Sequence, residues 1–169
     1  MANHPNWRLP EVATFTLESP EFTDGGRLPD TARADGGNRS PALSWHGAPD
    51  DTASYALTVY DPDAPTGSGF WHWAVYNIPA NVTSLPQGAG TDGTLPKGSV
   101  VLPNELRGEE WTGAAPPPGH GEHRYFFTVS ALSGTLDLPK GATPAVLGFM
   151  LRDQLLARAQ LVGVTDTPE

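Results

Sequence analysis

Two aspartates and a histidine are set among aromatic residues in one short stretch of this chain, Tyr60-Asp61-Pro62-Asp63-Ala64-Pro65 followed by Phe70-Trp71-His72-Trp73. A residue before proline is pushed out of the helical region, so Pro62 holds Asp61 extended and Pro65 does the same to Ala64. In an extended chain residues two apart face the same side. Asp61 and Asp63 are therefore expected to converge on one small volume, with Phe70 to Trp73 as its wall if that segment returns as an adjacent strand. A second cluster runs from Gly113 to Phe127, where the proline loop Ala115-Pro116-Pro117-Pro118 leads into the β-prone segment His123-Arg124-Tyr125-Phe126-Phe127. His123 and Tyr125 share one face of that strand. Acids beside imidazoles can perform general acid and base catalysis, bind a metal through nitrogen and oxygen, or orient donors toward an anion.

Each of these residues also has a plainer role. Asp61 and Asp63 could initiate a turn through bonds to backbone amides. Trp71 and Trp73 suit a core or its rim, and His72 could be a half-buried imidazole with a backbone partner. His120 lies in a glycine-rich loop tip and reads as solvated, while His123 and Tyr125 could be ordinary strand residues.

The elements that must position these groups read as short strands. With 19 glycines and 18 prolines in 169 residues, the composition suits many turns and argues against a helical bundle. Strands are expected over Val12 to Leu17, Ala42 to Trp45, Tyr55 to Tyr60, Trp71 to Ile78 and His123 to Leu132, with a closing strand over Leu161 to Val164. The Tyr55 to Tyr60 strand is apolar on both faces and should be central. The turn-rich stretch from Pro79 to Pro118 should wrap a sheet edge, and its one apolar island is Val100 to Leu102. Only Pro144 to about Ala157 reads as a helix, capped by Thr143 with Pro144 at the first helical position. No linker or repeat divides the pattern. The expectation is one mainly β domain over residues 1–169, core about 12–164, built as a two-sheet antiparallel β-sandwich with a C-terminal helix.

Composition excludes several functions. The formal net charge of -9 disfavours a nucleic-acid backbone or an anionic membrane as a general partner. The absence of cysteine removes disulfides, thiol catalysis and cysteine-ligated metals. No signal peptide or membrane span is visible, so a cytoplasmic location is expected. Gly88-Ala89-Gly90-Thr91-Asp92-Gly93 satisfies a dinucleotide-binding pattern by letters, but Pro96 interrupts any helix after it. No nucleophile elbow, Walker loop or metalloprotease helix is present.

Ser40-Pro41-Ala42-Leu43-Ser44-Trp45, the run from Ala56 through Asp61-Pro62-Asp63-Ala64-Pro65 to Gly69, and His123-Arg124-Tyr125 together resemble the phosphatidylethanolamine-binding protein family, most closely its bacterial Raf kinase inhibitor-like branch. The resemblance extends from about Phe15 to Gly163. It departs at Ala114, where the family often has proline, and at Gln154, where many bacterial members have histidine. It implies a ligand pocket made by Asp61, Asp63, Phe70, His72, Ala115, Pro116, Pro117, His123 and Tyr125, and a cis bond between Ala64 and Pro65. In that pocket Tyr125, His72, His123 and a backbone amide near Ala115 would donate to an anion, and the carboxylates would orient the imidazoles or accept from a ligand ammonium. The implied function is binding of a small anion or phosphorylated headgroup such as phosphate or phosphoethanolamine, with no cofactor and no dedicated metal, and regulation of a protein kinase or protease. The resemblance also points to a homodimer. The rival readings are an enzyme using the Asp/His pocket for acid–base hydrolysis, and a surface-acting inhibitor whose pocket is not essential.

Overall fold

The computed structural model describes residues 4–169, and it is mainly β. One sheet has six strands and the other three. In chain order these are β1 (Ala13–Thr14), β2 (Thr16–Glu18), β3 (Leu43–His46), β4 (Ser54–Asp61), β5 (Phe70–Pro79), β6 (Ser84–Leu85), β7 (Val100–Val101), β8 (His123–Leu132) and β9 (Leu155–Thr165), with helix α1 (Pro144–Met150) before β9. The larger sheet runs β1-β9-β8-β4-β5-β7 and the smaller β2-β3-β6. β4 is central as expected, pairing antiparallel with both β5 and β8. The sandwich is not wholly antiparallel, because β1 lies parallel to β9. The expected first strand is in fact two, with Thr14 in the larger sheet and Thr16 already in the smaller.

Alternation along β4 and β8 sends Leu57, Val59, Phe127 and Val129 into the core between the sheets, where they meet Trp45 and Leu43 of β3. The even-numbered residues face the other way. There Ala56 and Leu132 pack with Leu147 and Leu151 beneath α1.

The helix is shorter than the expected Pro144 to Ala157. Thr143 does cap it, accepting from the Val146 amide, but α1 ends at Met150. A 3-10 turn follows over Leu151–Gln154, and β9 begins at Leu155 rather than Leu161. Ala157, Ala159 and Leu161 are buried at alternate positions against β8, where their ladder bonds and core contacts outweigh a helix-compatible apolar spacing.

The stretch after β5 does wrap the sheet edge. Its Val100–Val101 island pairs with β5, and Ser84–Leu85 adds a short strand beside β3. The Trp111 amide donates to the Gly90 carbonyl at 2.9 Å, which seats the indole near His72. A Cβ on Gly90 would stand 2.6 Å from the Trp73 ring and 3.0 Å from Trp111 Cβ. Gly90→Ala is therefore expected to lower unfolding free energy in urea by about 1–3 kcal/mol through overpacking. A midpoint unchanged from wild type would show that the indoles yield freely.

Candidate functional site

The expected site residues gather where β4, β5 and β8 meet the proline loop, at one end of the inner sheet face. Asp61 closes β4, and its carboxylate has two roles. Oδ1 accepts from the Asp63 amide at 2.7 Å and the Ala64 amide at 3.1 Å, while Oδ2 accepts from His123 Nδ1 at 2.7 Å. Both side chains of the Asp61–His123 pair are almost wholly buried, at 3% and 2% exposure. The Ala64–Pro65 bond is trans, since the described residues contain no cis peptide. The two amides bonded to Asp61 close the turn without the isomer that the resemblance implied.

Asp63 does not converge on the same volume as Asp61. It lies beyond the end of β4 in the turn, so strand alternation no longer sets its direction. Its carboxylate accepts from Arg124 three times, from the backbone amide at 3.0 Å, Nε at 2.8 Å and Nη2 at 2.8 Å. That clamp holds the Asp63 carboxyl below its ordinary pKa, chiefly through the arginine side-chain bonds. Arg124 alternates with His123 and Tyr125 and faces the other side of β8. Asp63 therefore fixes the acidic turn to β8, and its charge is already neutralised there.

His72 is buried on β5, and its Nδ1 lies 2.7 Å from the Thr112 carbonyl oxygen. A carbonyl can only accept, so Nδ1 carries the proton and donates, which leaves Nε2 of the neutral ring as an acceptor. Burial pushes the His72 pKa down to about 4, and the Thr112 carbonyl opposes this only in part. At neutral pH His72 is therefore neutral, and its Nε2 cannot be the anion donor that the resemblance implied. Its ring packs against Phe70 at 4.7 Å and stands edge-on to Tyr125 at 5.1 Å.

Tyr125 is also buried, and desolvation, reinforced by the Asp61 charge, drives its phenol pKa upward. The hydroxyl stays protonated and able to donate throughout the physiological range. Of the proline-loop residues, Pro116 is buried while Ala115 and Pro117 are exposed, so the loop supplies a stiff rim. The loop is held from below by Ala34 N to Ala114 O at 3.0 Å, Ala114 N to Ala32 O at 3.1 Å and Gly113 N to Asn38 Oδ1 at 2.7 Å.

Two residues outside the expected set belong to this neighbourhood. His120, read as a solvated loop tip, places Nδ1 2.7 Å from His123 Nε2, extending the buried pair outward as Asp61–His123–His120. Arg33 is buried beside the loop, donating to Thr165 Oγ1 and the Asp166 carbonyl at 2.8 Å and to Thr167 Oγ1 at 2.9 Å. Its charge acts on Tyr125 in the direction that favours an anion. The His120-x-x-His123 spacing was a visible signal for the first. Nothing local marked Arg33 as a neighbour of the site: its near partner Asp35, bonded at 3.0 Å, lies on the surface, and the partners that draw it beside the loop, Thr165, Asp166 and Thr167, lie more than 130 residues away. Among the described residues, no cluster of three or more His, Cys, Asp or Glu side chains is arranged to hold a metal, and no helix is long and apolar enough to cross a membrane.

Comparison with known proteins agrees with this architecture. The family model described as phosphatidylethanolamine-binding protein matches residues 18–166. The UPF0098 protein YbcL of Escherichia coli strain K12 is 43% identical over 162 residues, covering 91% of this chain and 88% of that protein. YbhB of the same strain is 41% identical over 155 residues, 88% of this chain and 98% of its own. The crystal structure of E. coli YbcL, described as a new member of the mammalian PEBP family, superposes with a TM-score of 0.86 over 91% of this chain and 99% of that one. A carboxypeptidase Y inhibitor solved with its cognate proteinase shares the fold at a TM-score of 0.54 and 21% identity, over 92% of this chain and 84% of that one.

Proposed function

The chain belongs to the phosphatidylethanolamine-binding protein family, and we propose from that premise that it binds a small phosphorylated anion at the junction of Asp61, His72, His123, Tyr125 and the proline loop. The observation that carries this reading is the buried Asp61–His123 pair beside the buried Tyr125, whose pKa is raised by desolvation. Asp61 fixes the His123 ring with Nδ1 as its donor edge, so that the opposite nitrogen is aimed outward, where His120 meets it. Tyr125 contributes a hydroxyl donor with little competing water, and Phe70 and Pro116 supply apolar walls.

The neutral His72 narrows the ligand class. Its Nε2 lone pair repels a fully deprotonated phosphate oxygen but accepts from a P–OH group or an ammonium. A monoanionic phosphomonoester or a zwitterionic headgroup such as phosphoethanolamine therefore suits the site better than a fully deprotonated phosphate dianion. A second reading, a surface-acting inhibitor of a kinase or protease, draws support only from the fold shared with the carboxypeptidase Y inhibitor.

Calorimetric titration with phosphate and with phosphoethanolamine tests the first reading. His123→Ala and Tyr125→Phe are each expected to weaken binding about tenfold or more, since losing one charge-assisted partner costs about 1.5–3 kcal/mol. Affinities within about twofold of wild type, for proteins that melt normally, would remove both residues from the site.

A further inference from the structure

The outer face of the six-stranded sheet, opposite the Asp61–His123 pair, carries a groove of about 680 Å³. Its floor is β4, β8 and β9, and the segment His4 to Pro10 and helix α1 form its walls. Asn6 ties that segment down through paired amide bonds with Gln160, at 3.2 and 3.4 Å, and the His4 ring stands edge-on to Phe126 at 5.5 Å. The groove has the size of a small-molecule site.

Its charge runs against that of the molecule. The chain has nineteen acids and ten lysines and arginines, yet the described lining includes Arg8, Arg152 and Arg158 and no aspartate or glutamate. Arg8 and Arg152 cap the mouth, each guanidinium lying 4.0 Å from an exposed aromatic ring, Trp7 and Phe149 respectively. Arg158 sits deeper, and its one protein hydrogen bond among the described residues is a long contact of 3.4 Å to the Pro10 carbonyl. Burial lowers its pKa, and among the described residues no carboxylate offsets this. A half-buried guanidinium without a counter-charge is costly, and an anion entering the groove would remove that cost.

The remainder of the floor is graded along the strands. Arg158 lies opposite Ser130, whereas Phe126 lies opposite Tyr60 four residues further along β8, and the Tyr60 and Trp71 rings meet at 4.4 Å. Four strand residues span about 13 Å. We propose that this groove binds an aromatic monocarboxylate, with the carboxylate on Arg158 and a two-ring body reaching the Tyr60–Trp71–Phe126 wall. The site is separate from the phosphate pocket, being on the other face of the same sheet, and it does not depend on that pocket's occupancy.

Biphenyl-4-carboxylate and the neutral biphenyl-4-methanol serve as matched probes, with binding followed by calorimetry and by the indole signals of Trp7 and Trp71. Wild-type protein is expected to prefer the acid about tenfold, the increment of one charge-assisted contact. Arg158→Gln should abolish the preference while leaving alcohol binding in place, and Arg158→Lys should keep most of it. His123→Ala should bind the acid as wild type does, which separates this outcome from any failure of the phosphate reading. Equal affinity for acid and alcohol, an unchanged preference in Arg158→Gln, or displacement of the acid by phosphate would each overturn the proposal. So would sedimentation showing a dimer that Trp7→Ser and Phe149→Ser split into monomers, since a second copy would then occupy the groove.

Discussion

Asp61→Ala is expected to destabilise the protein by about 3–5 kcal/mol, the scale for removing one member of a buried charged or strongly polar pair. Two losses coincide in that substitution. His123 Nδ1 would lose its partner at 2% exposure, and the Asp63 and Ala64 amides would lose the oxygen that closes the turn. Companion variants separate the two. Asp61→Asn retains an oxygen for the amides while removing the charge, so it should recover part of the loss. The pair Asp61→Ala with His123→Leu removes the stranded imidazole, so it should cost less than the sum of its single changes. Urea denaturation at pH 7 measures all of these. If Asp61→Ala unfolds within about 1 kcal/mol of wild type, the pair is not a buried, mutually dependent unit.

The residues most legible in the sequence were those whose roles are local. The span His123 to Leu132 forms β8 as expected, because a run of β-branched and aromatic residues has few alternatives. Thr143 and Pro144 announce the start of α1 through backbone geometry that needs no tertiary partner. The end of that helix was illegible for the opposite reason. Leu151 and Leu155 continue an apolar spacing compatible with helix, and only the ladder to β8 assigns 155–165 to a strand. The same limit applied at the site. The extended run inferred from Pro62 and Pro65 gives way to the plainer reading, a turn started by Asp61 bonds to backbone amides, and the division of labour between Asp61 and Asp63 is set by where His123 and Arg124 stand on β8, about sixty residues away. For His72 the plainer reading, an imidazole with a backbone partner, is the one that holds; its full burial and the identity of that partner were not legible, since the Thr112 carbonyl lies forty residues downstream.

The neutrality of His72 has a measurable consequence, because the ring stays unprotonated in the folded protein down to a pH at which the unfolded chain has already taken up its proton. The folded pKa is about 4, against an ordinary value of 6.5. Between those limits the unfolded state binds more protons, so stability falls as pH falls, and it is fully retained above the upper limit. The gap corresponds to roughly 3 kcal/mol lost on acidification from pH 7 to pH 4. Asp63 does not share this window. Its folded pKa is depressed by Arg124, so its contribution persists above the ordinary 3.8 and is lost only as pH falls below it. His72→Gln removes the titrating group and retains an amide donor for the Thr112 carbonyl. Unfolding free energies of wild type and variant, measured at intervals from pH 7 to pH 4, should diverge in slope, with the wild type losing roughly 3 kcal/mol more across the range. Parallel curves would mean that His72 protonates in the folded state near its ordinary pKa. In that case the proposed site could receive a dianionic phosphate through a cationic His72, and the proposed preference for a ligand that brings its own proton would fall.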